Sequence, residues 1–160
     1  MIDGNQVVEV VRALGFTHVL WIPDSELGKW NDALSVAGTP RLIRPCREGE
    51  ATAIAGGLCL GGARPLTILQ CTGFFEAGDS FRNFVHDMKL PLIFLIGIRS
   101  YRAHQEGRSA DTCPVFTEPI IKAWDLPYAL LPGDFNATDL EQALKRFVKG
   151  RRAGAVLLGE

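Results

Sequence analysis

Leu92–Ile98 reads LIFLIGI, seven residues without one polar side chain. A strand with one wet face alternates apolar and polar residues. A strand that is apolar throughout belongs in a parallel sheet covered by helices on both sides. Thr17–Ile22 (THVLWI) upstream also reads as a buried strand, and Leu66–Gln70 (LTILQ), Tyr128–Leu131 and Ala155–Leu158 (AVLL) read as further strands. Arg41–Pro45 adds a short strand. Helical signals lie between them. Asp3 with Gln6 forms a capping box, Val7, Val8, Val11 and Leu14 mark one face, and Gly15 is placed to end that helix. Further helices are expected over Ser25–Val36, Gly49–Gly62, Phe74–Met88 and Pro114–Trp124. Thr138 with Glu141 reads as a second capping box, opening a helix through Lys149. Tyr101–Thr112 reads as polar and irregular. The alternation predicts an α/β fold in one domain over residues 1–160: a doubly wound, mostly parallel six-stranded sheet with helices on both faces.

Such sheets bind ligands outside the carboxyl ends of their strands. That rule selects Pro23–Glu26, Cys46–Glu50, Gln70–Phe75 and Arg99–Arg108. Composition narrows the ligand. Lys plus Arg is 17 and Asp plus Glu is 18, a net charge of -1. Nucleic acid and membrane surfaces both call for a basic face, so neither is expected as a partner. No apolar run approaches the roughly 18 residues of a membrane span. The opening MIDGNQVVEV lacks the cationic-then-apolar order of a secretory signal. Cys46, Cys59, Cys71 and Cys113 form no CxxC and read as reduced thiols of a cytoplasmic protein. His18, His86 and His104 are not at ligand spacing from them, so no metal site is expected on this chain. No GxGxxG follows the first strand, and GxxxxGK[ST], GxSxG and HExxH are absent. An α/β scaffold without a self-sufficient catalytic motif points to a site completed from elsewhere.

Cys46–Gly57 reads CREGEATAIAGG. A carboxylate ends a strand and opens a helix of small residues, with Glu48, Ala51, Ala55 and Gly57 in the order E-x-x-A-x-x-x-A-x-G. This resembles the pyrimidine-binding (PYR) domain of thiamine-diphosphate enzymes. Leu66–Gly73 (LTILQCTG) resembles that domain's next strand and its polar, glycine-bearing end. Ile22-Pro23-Asp24-Ser25, Leu90–Arg99 (LPLIFLIGIR) and Leu126-Pro127-Tyr128 resemble one branch, the sulfopyruvate and phosphonopyruvate decarboxylases. The chain lacks the GDG and downstream Asn with which that family holds Mg²⁺ and the diphosphate. Gly78-Asp79-Ser80 and Gly133-Asp134-Phe135 do not replace it.

The resemblance therefore implies an α subunit of a lyase. A β subunit carrying the diphosphate-binding domain would hold Mg²⁺, in a heterotetramer or larger assembly. The substrate implied is a 2-oxo acid with an anionic tail. Glu48 is the implied catalytic residue, hydrogen-bonding ring nitrogen N1′ of the aminopyrimidine and favouring its 4′-imino form. Glu50 is the rival carboxylate, and the spacing to Gly57 selects Glu48. Gln70, Thr72 and Gly73 are expected against the cofactor, or as a turn. Asp24 and Ser25 are expected to face the substrate, to cap a helix, or both. Arg99, Arg102 and His104, with Arg108 beyond them, form a basic cluster suited to a sulfonate or phosphonate tail. A solvated loop or a subunit contact is the other reading of that cluster. Arg82 and His86 read as exposed or interfacial, and Trp21, Trp30 and Trp124 as core. The glycines of the small-residue helix, each costing about 1 kcal/mol against Ala, signal close packing in the core or at an interface. Two other functions fit the same residues: a carboligase subunit, and a non-catalytic PYR-like regulatory partner.

Overall fold

In the computed structural model, which describes residues 2–25 and 27–160, six parallel strands form one sheet in the order β2-β1-β3-β4-β6-β5. The strands are β1 His18–Trp21, β2 Arg41–Ile43, β3 Pro65–Gln70, β4 Ile93–Ile98, β5 Tyr128–Pro132 and β6 Gly154–Gly159. Every pairing is parallel, so the sheet is wholly rather than mostly so. LIFLIGI lies in the middle, and all six residues of β4 are buried.

Alternate side chains of the strands enter two separate cores, as the period of two requires. Val19, Trp21, Ile93, Leu95, Val156 and Leu158 face one side. There they meet α1 (Gly4–Ala13), α2 (Asn31–Val36) and α8 (Ala137–Gly150). Leu20, Phe94, Ile96, Ala155 and Leu157 face the other. That side is covered by α3 (Glu48–Leu60), α4 (Cys71–Glu76), α5 (Gly78–Phe81) and α7 (Cys113–Ala123). Crossovers running one way along the sheet use the first face, and those running the other way use the second. A single hand of crossover produces this arrangement. The chain leaves β1 toward β2 but leaves β3 toward β4, so a crevice opens between the carboxyl ends of β1 and β3.

Several elements differ from the sequence expectation. The helix expected over Ser25–Val36 is a 3₁₀ turn, Gly28–Trp30, followed by α2. Its Glu26 position lies outside the described residues. The helix expected over Phe74–Met88 starts earlier, at Cys71, directly from β3, and is broken at Ala77 into α4 and α5. It ends in a π-helical turn, Arg82–Asp87, in which the Met88 N–H bonds the Asn83 carbonyl. Tyr101–Thr112 is not wholly irregular. Tyr101–Gln105 forms α6, because Tyr101 packs over Gly159 and the Arg102 N–H bonds the Glu160 carbonyl. Tertiary packing, not propensity, makes so short a helix. The box on α8 uses Asn136 and Asp139 in place of Thr138 and Glu141, with the Asn136 side chain accepting from two backbone N–H groups. Asp3 and Gln6 do form the box on α1, and Gly15 follows its end at φ +73°. Trp21 and Trp30 are fully buried, whereas Trp124 is half-buried and stacks on His86.

The glycines of the small-residue helix divide. Gly56 is buried, and a Cβ there would come within 2.7 Å of Phe84 Cε1. Gly57 is exposed with open space beside it. The closest demand is on β6, where a Cβ on Gly154 would lie 2.6 Å from Cγ of the buried Phe147. Gly154→Ala is therefore expected to cost about 2 kcal/mol by overpacking. Gly57→Ala is expected to add up to about 1 kcal/mol by helix propensity. Urea unfolding of the two variants beside the parent checks both.

Candidate active site

The carboxyl ends of β2, β1, β3 and β4 carry, in that spatial order, the segments selected from sequence. β2 leads into α3, which crosses to the second face and brings its first residue, Glu48, over to the start of α4. There Glu48 lies against Gly73. A Cβ on Gly73 would sit 2.5 Å from Glu48 Oε1 and 2.6 Å from its Cδ. The buried Gly73 thus supplies the space that the half-buried Glu48 side chain occupies.

An acidic residue in a helix's first turn ordinarily satisfies the free N–H groups of that turn. Glu48 is spared this duty. The N-cap residue Arg47 has no acceptor on its side chain, and α3 has no side-chain cap of its own. Glu76, on α4, accepts instead from the Gly49 N–H at 2.7 Å and pairs with Arg47 at 2.7 Å. Glu50, the rival carboxylate, is exposed and accepts from the Cys46 N–H at 2.6 Å. The two neighbouring carboxylates hold the backbone and Glu48 holds none of it among the described residues, which separates Glu48 from Glu50 on geometry. Sequence reasoning passed over Glu76, because a single long helix from Phe74 gives no reason to point that residue at α3.

Gln70 ends β3 and is the N-cap position of α4; the exposed Thr72 donates to its Oε1 at 3.0 Å. Glu48, Gly73, Gln70 and Thr72 are therefore brought together. At the end of β1, Asp24 Oδ1 accepts from the Leu27 N–H at 2.8 Å, a turn-closing bond, and Ser25 is exposed.

The basic residues are placed differently from the open cluster expected. Arg99 pairs with Asp111 through Nε at 2.7 Å and Nη2 at 3.4 Å, and Nη2 also reaches Cys113 Sγ at 3.5 Å. Its Nη1 takes no part in the pair. Arg102 pairs with Asp134 at 3.1 Å, and Arg108 pairs with Glu106. Each arginine thus faces its own carboxylate. His104 is half-buried on α6, and its Nδ1 is buried without a partner among the described residues. The Arg99 guanidinium holds the Asp111 carboxyl well below the usual carboxylate range, helped by the Cys113 N–H. Burial, and then the neighbouring Cys71, push the Cys113 thiol up to about 12, so it stays neutral beside the ion pair.

Among the described residues, no group of three or more His, Cys, Asp or Glu is arranged to hold a metal ion. No helix among them is long and apolar enough to cross a membrane. A cavity of ≈ 560 Å³ lies at the opposite, amino edge of the sheet, where Gly15, Arg64, Leu90 and Phe147 line it. It contains none of the residues above, and the strand-end rule places the chemistry at the other edge.

Comparison with known proteins bears on the fold and on sequence relatedness. No family model matches the chain. Two curated relatives are phosphonopyruvate decarboxylases. One, from Streptomyces viridochromogenes, is 24% identical over 132 residues, covering 82% of this chain and 33% of the relative. The other, from Streptomyces hygroscopicus, is 24% identical over 152 residues, covering 95% and 38%. The chain thus spans little more than a third of their length. Among solved structures, benzoylformate decarboxylase from Polynucleobacter necessarius superposes with a TM-score of 0.75 at 17% identity, over 99% of this chain and 30% of that one. An enzyme from Mycobacterium smegmatis assigned as thiamin diphosphate-dependent superposes with a TM-score of 0.67 at 19% identity, over 98% and 30%. The fold is the one found in thiamine-diphosphate-dependent decarboxylases, and the sequence is related to phosphonopyruvate decarboxylases.

The Arg99–Asp111 pair carries a prediction about pH. A carboxyl whose folded pKa is depressed stabilises the fold above its ordinary range near 3.9, and that stabilisation is lost as the pH falls below it. Asp111→Asn is expected to cost about 1 kcal/mol at neutral pH, the modest value reflecting a half-exposed arginine. The difference from the parent should shrink as the pH is lowered below about 4. Thermal unfolding across that range measures it, and a difference independent of pH would contradict the assignment.

Proposed function

We propose that this chain is the aminopyrimidine-binding part of a thiamine-diphosphate-dependent 2-oxo acid decarboxylase. A β subunit with the diphosphate-binding domain and its Mg²⁺ completes the active site, in a heterotetramer or larger assembly. One observation carries the reading: at the crevice between β1 and β3, a carboxylate with no backbone to cap lies over a glycine. That is the arrangement a ring nitrogen of the cofactor requires, and the phosphonopyruvate decarboxylase relatives support the reaction class.

The residues present fit the aminopyrimidine half of the cofactor and not its diphosphate half. Glu48 supplies the acceptor, and Gly73 lets it lie flat against α4. When bound, the cofactor supplies the carbanion chemistry by which a 2-oxo acid loses CO₂. Glu48 binds and orients the ring and holds the proton at the ring nitrogen. Its half-burial strengthens that bond by limiting competition from water. Gln70 and Thr72, already bonded to each other, border the ring. Arg99, Arg102 and His104 lie on α6 and the end of β4, where a sulfonate or phosphonate tail finds donors. Arg99 offers Nη1 without breaking its pair with Asp111. Asp24 fixes the β1 loop beside the substrate while closing its own turn.

Co-purification of the native complex followed by substrate screening tests the assignment. Glu48→Gln in that complex is expected to lower decarboxylation of phosphonopyruvate or sulfopyruvate on the order of 10²–10⁴-fold and leave assembly intact. Undiminished turnover in Glu48→Gln would remove Glu48 from the mechanism.

A further inference from the structure

We infer that Glu76 is a positioning residue for Glu48, an inference that rests on the role proposed for Glu48. Glu76 holds the residues on both sides of Glu48. Its carboxylate accepts from the N–H of Gly49 and pairs with the guanidinium of Arg47, each at 2.7 Å. Gly49 is buried, and a Cβ on it would stand 3.3 Å from Glu76 Oε2, so this glycine makes room for Glu76 as Gly73 makes room for Glu48. Gly73 and Glu76 are three residues apart on α4 and share one face of it. One turn of α4 therefore both receives the Glu48 side chain and clamps the backbone that carries it.

The Glu76–Arg47 pair is largely exposed, 71% on the arginine side, and pairs of that kind contribute little. The bond to the Gly49 N–H is partly buried and charge-assisted, and it takes the place of the missing N-cap. Without it the first turn of α3 has a free N–H beside a free carboxylate. Glu48 is then the nearest acceptor and is drawn from Gly73 back onto its own helix. A misplacement of about 1 Å at a reacting group costs on the order of 10²-fold in rate.

Three variants of the assembled enzyme test this. Glu76→Met removes both acceptor oxygens and keeps the stem, so the half-exposed site stays packed. Glu76→Gln keeps one acceptor for the Gly49 N–H and gives up the ion pair. Arg47→Ala gives up the ion pair alone. Glu76→Met is expected to lower kcat on the order of 10²-fold with KM for the 2-oxo acid unchanged. Glu76→Gln and Arg47→Ala should stay within about threefold of the parent, the ion pair being worth little. Hydrogen exchange of the Gly49 amide on the full chain gives a readout apart from activity. It should speed up about tenfold in Glu76→Met and stay protected in Glu76→Gln. Parental kcat in Glu76→Met with an inactive Glu48→Gln would overturn the positioning role and leave the Glu48 reading standing. An active Glu48→Gln would overturn both. A raised KM with unchanged kcat, or equal loss in Glu76→Gln and Glu76→Met, would also overturn the positioning role.

Discussion

The site depends on the close approach of α3 and α4, where two glycines each yield space to a carboxylate from the other helix. Gly73 on α4 receives Glu48 of α3, and Gly49 on α3 receives Glu76 of α4. A side chain at Gly73 would displace Glu48, whereas one at Gly49 would press on Glu76 by only a few tenths of an ångström. The exchange also resolves an electrostatic conflict. Three carboxylates, Glu48, Glu50 and Glu76, crowd the start of one helix, where only a few free N–H groups and a partial positive charge are present to hold them. Glu50 takes the Cys46 N–H, Glu76 takes the Gly49 N–H and Arg47, and the Glu48 carboxylate caps no backbone N–H among the described residues. A helix that capped itself would have consumed the acid that the proposed chemistry uses.

The topology brings this junction to the crevice. Because β1 and β3 send their connections in opposite directions, α3 must cross over β1 to reach β3. That path carries its first turn onto the carboxyl edge beside α4. The outer part of the same edge is built from ion pairs instead. Arg99 with Asp111 and Arg102 with Asp134 tie the end of β4 and α6 to the loops before α7 and α8. An arginine fixed by a carboxylate is a preorganised donor of reduced charge. Such a site discriminates by geometry more than by attraction over distance.

The sheet was legible because its central strands β4 and β6 are buried on both faces and read as unbroken apolar runs. Glu48 was singled out through the resemblance of Cys46–Gly57 to the PYR-domain pattern, since a carboxylate in a helix's first turn is otherwise an ordinary cap. Glu76 was not, since its partner is 27 positions away and depends on the break at Ala77, which a helical periodicity hides. The arginines were legible as a group, but their carboxylates were not. Asp111 and Asp134 lie 12 and 32 residues from their partners, and nothing local links them. The misplaced box on α8 has a local cause: Asn136/Asp139 and Thr138/Glu141 both satisfy the pattern, and the turn after Pro132 decides between them. Gly57, the glycine that matched the motif, packs against nothing, while its neighbour Gly56 carries the contact with Phe84.

The central claim is that Glu48 must lie over Gly73 for the enzyme to turn over. Gly73→Ala is the sharpest test, because the three atoms nearest the added methyl all belong to the Glu48 side chain. A folded variant that assembles normally and loses decarboxylation on the order of 10²-fold is expected. A folded, assembled Gly73→Ala enzyme with parental turnover would contradict it.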